Sequence, residues 1–307
     1  MSAKFDYLPG DESFLDPLRV DAGAPEKAKA VVIPFGLEAS VSYGGGTTAG
    51  PRAIIEASHQ LELFDEELWR EAYRDYGVAA LREPAIAPRI EDALAQLEGL
   101  VESVLAQGRF PFVLGGEHSL TPGAIRPFVR RYPDLVVLQL DAHADLRDGY
   151  LGEHYSHAAA MRRVLDHDGV SLVQVGIRAL CLDEANFYEA NRHRATMHLA
   201  VEKARWDLEA MLRPLAGRPV YVTVDIDALD GSIMPATGTP TPGGMTFDDV
   251  LGVLRRACEV GNVVGMDLVE FAPIPRFHAY DALAALLAAK MLNYALSGTR
   301  RRETMAV

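Results

Sequence analysis

The chain is poor in cysteine: two thiols, Cys181 and Cys258, stand among 307 residues and form no CxxC pair. That scarcity argues against a disulfide framework and a thiolate metal site, and makes the reducing cytoplasm the expected compartment. Each thiol reads as a packed core residue. Basic charge is short as well. Thirty Lys and Arg against 43 Asp and Glu leave a formal charge of −13, which denies a nucleic-acid partner its basic footprint and favours small cationic ligands. No apolar run is long enough to span a bilayer. The greasiest stretch, ALAALLAAKMLNYAL (282–296), is interrupted by Lys290 and reads as a core helix. The opening MSAKFDYLPGDESFLDPL has neither the basic start nor the apolar run of a signal peptide, so no membrane partner is expected. Repeats, low-complexity tracts and linkers rich in Pro, Gly or Ser are missing too. One domain over 1–307 is expected, with 1–29 as an N-terminal extension. The glycines of SYGGGTTAGPRAI (42–54) lack a following GK[ST], which excludes a phosphate loop; Pro51 instead suits the first turn of a helix.

What is present is a normal globular share of apolar residues, 49%, arranged in strand-length runs. Strands are expected at 30–35, 76–81, 110–116, 135–141, 171–177, 220–227 and 263–271, with a weaker eighth at 196–200. Helical spacing fills 51–69, 90–108, 124–132, 158–167, 201–212 and 247–260. Strand alternating with helix, the strands almost continuously apolar, predicts an α/β fold whose parallel sheet is covered on both faces.

In such sheets ligands sit beyond the carboxyl ends of the strands, and there the polar clusters fall. FPFVLGG leads into Glu117 and His118; LVVLQL into Asp141, His143 and Asp145; VYVTV into Asp225 and Asp227; VVGMDLV into Glu270. Taken singly, His118 reads as a helix cap, and an Asp at a strand end as a turn residue. DxHxD in one loop with DxD in another is different, because crowded carboxylates repel unless a cation neutralises them. Mixed oxygen and nitrogen donors without thiolates suit hard or borderline divalent metals, and six side chains allow two ions.

GGEHS (115–119), DAHAD (141–145), SHAAAMRR (156–163), TVDID (223–227) and DLVEFAP (267–273) together resemble the ureohydrolase family, the arginases and agmatinases. They occur in that family's order, and SYGGGTTAGPRAI and TGTPTPGG (237–244) are similar to its loops. The resemblance, from about residue 30 to 296, implies a three-layer αβα domain around a mostly parallel eight-stranded sheet. It implies a centre of two Mn2+ ions that hydrolyses a guanidinium group to urea and an amine, and a trimer or hexamer. Carried over, it gives one ion to His118, Asp141, Asp145 and Asp225, and the other to His143 and Asp227 with Asp141 and Asp225 shared. Glu270 would pair with the guanidinium, Asp145 would pass a proton to the departing nitrogen, and His157 would carry a proton away.

His154, on the same loop as His157, is left as an outer partner or a surface residue, and Glu117 is expected to support the site without ligating. Arg147 and Asp148 stand where arginases carry an asparagine that reads the amino-acid carboxylate, so the agmatinase branch is the better match. Agmatine hydrolysis to putrescine and urea, a polyamine-forming step, is the expected reaction. Guanidinobutyrase, arginase or formiminoglutamase activity, and a non-catalytic metal-binding relative, are the alternatives. Ala236 and Gly231 depart from the family's usual glycine and proline, on loops expected near the substrate tail.

Overall fold

A computed structural model describes residues 5–299; the ends of the expected 1–307 domain, 1–4 and 300–307, lie outside the described residues. Eight strands form, β1 Ala30–Phe35, β2 Val78–Ala80, β3 Phe110–Gly115, β4 Val136–Leu140, β5 Ser171–Ile177, β6 Ala195–Leu199, β7 Pro219–Asp225 and β8 Asn262–Val269. Every pairing between them is parallel, in the order β2-β1-β3-β8-β7-β4-β5-β6. The weak eighth strand is β6, at the sheet edge and only partly buried, which is why its sequence lacks the apolar continuity of the others.

The helices are α1 Gly50–Ser58, α2 Ile90–Ala106, α3 Thr121–Arg131, α4 Ala160–Val164, α5 Leu182–Ala190, α6 Leu208–Leu212, α7 Phe247–Val260 and α8 His278–Ser297. Alternation of side chains along each strand divides the core in two. Val32, Phe112, Leu138 and Val222 pack with α1, α6, α7 and α8, whereas Val31, Val113, Val137 and Tyr221 pack with α2, α3 and α4. Three layers result. None of the described helices is long and apolar enough to cross a membrane.

Some elements depart from the periodicity. The helix expected over 51–69 ends at Ser58. Beyond it, Asp65 accepts hydrogen bonds from the backbone N–H groups of Glu67 and Leu68, and its carboxylate is gripped by Lys290 and Asn293 of α8. Lys290, the interruption in the apolar run, is buried with Asp65, Glu66 and Glu67 within 3.2 Å of its Nζ. That cluster fastens the segment after α1 to α8. The helix expected over 201–212 splits at Trp206, because Asp207 caps a new turn through Glu209 N and Ala210 N. α5 escaped the periodicity because LDEANFYEA carries no apolar stripe.

Candidate metal centre

The sheet order explains why the polar clusters meet. β3, β8, β7 and β4, whose carboxyl ends carry the four clusters, are consecutive neighbours at the centre of the sheet. The chain leaves β3 and returns three positions away at β4, with β8 and β7 inserted between them, so the crevice forms where the topology changes direction.

Local geometry then aims each group. Gly116 lets β3 approach the 37–42 loop, since a Cβ there would stand 2.1 Å from Leu37 O. His118 opens a 3-10 turn, His118–Leu120, but makes no helix cap. Its Nδ1 lies 3.1 Å from Asp141 Oδ2, 3.0 Å from Asp145 Oδ2 and 3.5 Å from Asp225 Oδ2. Its Nε2 is 2.8 Å from Thr223 Oγ1. On the other side His143 Nδ1 is 3.0 Å from Asp227 Oδ2 and 3.6 Å from Asp141 Oδ1. Backbone N–H groups hold the carboxylates in place: His143 N donates to Asp141, Ala142 N to Asp227, and Asp227 N to Asp225. Asp145 and Glu270 are both non-glycine residues with positive φ, 52° and 64°, a conformation that the surrounding structure must enforce.

All six residues expected to ligate thus come together. Ligand atoms of His118, Asp141 and Asp145 converge within 4.8 Å, as do those of Asp141, His143 and Asp227, with Asp141 common to both groups. Whether these residues fit a metal pair is answered by what they do without one. His118 Nδ1 is buried and has no hydrogen-bond partner, although three carboxylates surround it. Burial, reinforced by Asp227 and Asp141, pushes Asp225 well above the usual carboxylate range. Burial and Asp141 push Asp145 up to about 7. Against the lowering effect of burial, Asp227 and Asp141 raise His143 to about 12, and the three carboxylates around His118 raise it well above its ordinary value. Protons are recruited to do a cation's work. The donors fit.

Every one of those shifts raises a folded-state pKa, so each contributes stability that is lost as pH rises through it. Asp141 alone is lowered, held by His118 and His143 despite its burial. A divalent cation must displace the protons, and its affinity climbs with pH. The melting temperature gained on adding Mn2+ should therefore be larger at pH 8 than at pH 5. Saturation at a hundredfold excess over Kd contributes about 2.7 kcal/mol, on the order of 5 °C. Equal gains by differential scanning fluorimetry at the two pH values would contradict the fit.

A cavity of about 380 Å³ opens onto this cluster, lined by His143, Asp145, Asp225 and Glu270 together with Ser42, His157, Thr239, Ala179, Leu180, Arg147, Tyr150 and Glu184. A larger hollow of about 520 Å³ beside α1 gathers Arg52, Glu56, Arg82 and Glu83; the first two pair with each other and Arg82 pairs with Asp6, and no convergent ligand atoms mark it among the described residues. Chemistry, not volume, identifies the site. Glu270 accepts a hydrogen bond of 2.6 Å from His118 N, and burial, with Glu117 adding to it, holds its carboxyl well above the usual range. His157 borders the same cavity, and burial lowers its imidazole against the opposing pull of Glu117. Burial thus favours its uncharged form.

Other residues fall elsewhere. His154 is exposed, with its ring against Arg163 and Tyr155. Asp148 pairs with Arg163 and Arg162. Ala236 is buried and Gly231 packs on Thr241, so the wall supplied by that loop is Thr239. Sequence spacing gave no notice of Ser40, Ser42, Thr223 and Glu184, whose partners lie 38 to 117 residues away.

The sequence model of the Arginase family matches residues 28–297. The chain is 34% identical to the N(1)-aminopropylagmatine ureohydrolase of Synechocystis sp., covering 94% of this chain and 95% of that one. It is 35% identical to the agmatinase of Bacillus subtilis, over 89% and 92% of the two chains. Among solved structures it is similar to the agmatine ureohydrolase of Thermoplasma volcanium, with a TM-score of 0.80, 29% identity and 89% and 92% of the chains covered.

Proposed function

Because the chain belongs to the arginase family and is a ureohydrolase acting on guanidino C–N bonds, we propose that it converts agmatine and water to putrescine and urea at a centre of two Mn2+ ions. The observation that carries the proposal is the pair of His/Asp groups sharing Asp141 at the wall of a cavity that also presents Glu270. His118, Asp141, Asp145 and Asp225 would hold one ion. His143 and Asp227, sharing Asp141 and Asp225, would hold the other. Carboxylate and imidazole donors without thiolate suit manganese. When bound, two such cations provide a Lewis-acidic centre that acidifies water to near neutrality.

The protein's own groups supply the rest. Glu270, a half-buried carboxylate short of a positive partner, pairs with the planar guanidinium and fixes its orientation. Asp145, strained and close to neutral pH in its titration, carries a proton to the departing nitrogen. His157, whose uncharged form is favoured by burial in the cavity wall, takes up the proton that water loses on ionising and hands it to solvent, and solvent returns one to the departing amine, so that guanidinium and water balance urea and ammonium. An acidic cavity in a chain of charge −13 draws in a dication. Cytoplasmic action as a single-domain homo-oligomer belongs to the same proposal and is supported by two unpaired thiols and the family resemblance.

One observation favours a second reading. Arg147 lines the cavity, over the Tyr150 ring at 4.8 Å and 3.8 Å from Glu184, and a cation there would welcome the carboxylate of 4-guanidinobutyrate. Glu184 offsets that charge, so the amine-tailed substrate remains preferred. Urea release from agmatine, 4-guanidinobutyrate and arginine, measured with the metal content of the purified protein, decides. The highest kcat/KM is expected for agmatine; a higher value for either of the others would overturn it.

A further inference from the structure

Glu117 is buried, it ligates nothing, and the chemistry above does not use it. Yet its carboxylate gathers an unusual share of donors. Oε2 accepts from Ala39 N at 3.0 Å and Ser40 N at 2.8 Å, and Oε1 from Ser40 Oγ at 2.9 Å and from Ser119 Oγ. Those bonds hold the 38–42 loop against the end of β3. Ser40 then meets His157 twice: its Oγ accepts from His157 N at 2.9 Å and lies 3.0 Å from His157 Nδ1.

A hydroxyl has one proton to give and two lone pairs to offer. Two backbone N–H groups occupy Glu117 Oε2 and the Ser40 hydroxyl donates to Oε1, so the Ser40 proton is committed to Glu117, and the contact at 3.0 Å is a hydrogen bond only if Nδ1 carries a hydrogen. The reverse arrangement would leave two oxygens facing each other at 2.9 Å with no proton between them. On the far side of the ring Nε2 is 3.3 Å from Ser42 Oγ, and Ser42 lines the cavity. The other contact at Nδ1, Ser156 Oγ, is long at 3.5 Å.

We propose that Glu117, acting through Ser40, holds His157 as its Nδ1–H tautomer, so that Nε2 is the atom that accepts the proton on the cavity side. The inference rests on the reading of His157 as the proton carrier and makes Glu117 and Ser40 positioning residues for it. Which ring nitrogen is protonated is set by the hydrogen bond the other atom makes, and here the relay runs from a carboxylate 77 residues distant from its serine.

Long-range 1H–15N correlation of the full chain, 15N-labelled at histidine, loaded with diamagnetic zinc and held above pH 8, reads the tautomer directly; His157→Gln assigns the signal. A protonated Nδ1 with an unprotonated Nε2 is expected in the wild type, and a mixture of tautomers in Ser40→Ala. In kinetics Ser40→Ala should lower kcat about 10-fold with KM unchanged, a part of the roughly 10²–10⁴-fold that a positioned base contributes. Ser40→Thr, which restores the hydroxyl, should recover it. An Nε2–H tautomer in the wild type, or the same tautomer persisting in Ser40→Ala, overturns the proposal, and the wild-type tautomer can be read even if Ser40→Ala fails to fold. Full urea release by His157→Gln would instead remove the proton-carrying role while leaving the tautomer assignment intact.

Discussion

Asp141→Ala should strip the protein of both metal ions and lower urea release by more than about 100-fold. Asp145→Ala and Asp227→Ala should each cost one ion. The difference follows from position. Asp141 is the one side chain present in both convergent groups, 3.1 Å from His118 Nδ1 through Oδ2 and 3.6 Å from His143 Nδ1 through Oδ1. Asp145 belongs only to the first group and Asp227 only to the second. Losing a mere outer partner of a ligand typically costs 10–100-fold in affinity or activity, so loss of a side chain serving two ions exceeds that range. Truncation also frees Gln139 Nε2 and His143 N, which now donate to the carboxylate at 2.7 and 2.6 Å, so both loop and strand end lose their anchor. Elemental analysis of the dialysed variants, alongside the urea assay, is the check. Asp141→Ala that retained both ions would mean the two groups are independent sites, and the binuclear proposal would fail.

The legibility of this centre in the sequence depended on separation along the chain. DxHxD and DxD are local, and alternation alone puts their side chains on one side of an extended segment. That the two motifs meet was visible only as shared membership in strand ends; it becomes geometry through the order β3-β8-β7-β4, which no spacing encodes. The same limit hid the supports. Thr223 sits behind His118, and Asp267, fully buried, accepts from Thr121 Oγ1 and Tyr221 OH beside it; each partnership joins residues 46 to 146 apart. Glu117 was readable as a group that does not ligate, but its hold on Ser40, and through it on His157, was not. For the fold, apolar continuity revealed the buried strands, and it weakened at β6 where burial does. Helix α1 is shorter than its periodicity predicts because the ion cluster around Lys290, which redirects the chain after Ser58, couples residues more than 220 positions apart.

Glu270→Gln should lower kcat/KM by about 10- to 150-fold while making the metal-free protein more stable at pH 8. The first effect comes from the guanidinium. A hydrogen bond to a charged group contributes about 1.5–3 kcal/mol, and each 1.4 kcal/mol is tenfold; an amide keeps the shape but not the charge. The second comes from burial. Burial first, then Glu117 and Asp227, raise the folded-state pKa of Glu270 well above its ordinary value, against the weaker opposing pull of the His118 N–H. The folded chain therefore binds this proton more tightly than the unfolded one, and stability drains away as pH rises above the ordinary carboxylate range. Glutamine has no proton to lose. Denaturant unfolding should show the variant and the wild type alike near pH 4 and the variant ahead at pH 8. The strained φ of 64° at this position persists in both, so backbone relief cannot account for the gain. A carboxylate that costs the resting protein stability is offset when its cationic partner arrives with the substrate. Should Glu270→Gln lose stability at pH 8 and keep its kcat/KM, the carboxylate would be a structural anchor for His118 N, and the guanidinium would have to be held elsewhere.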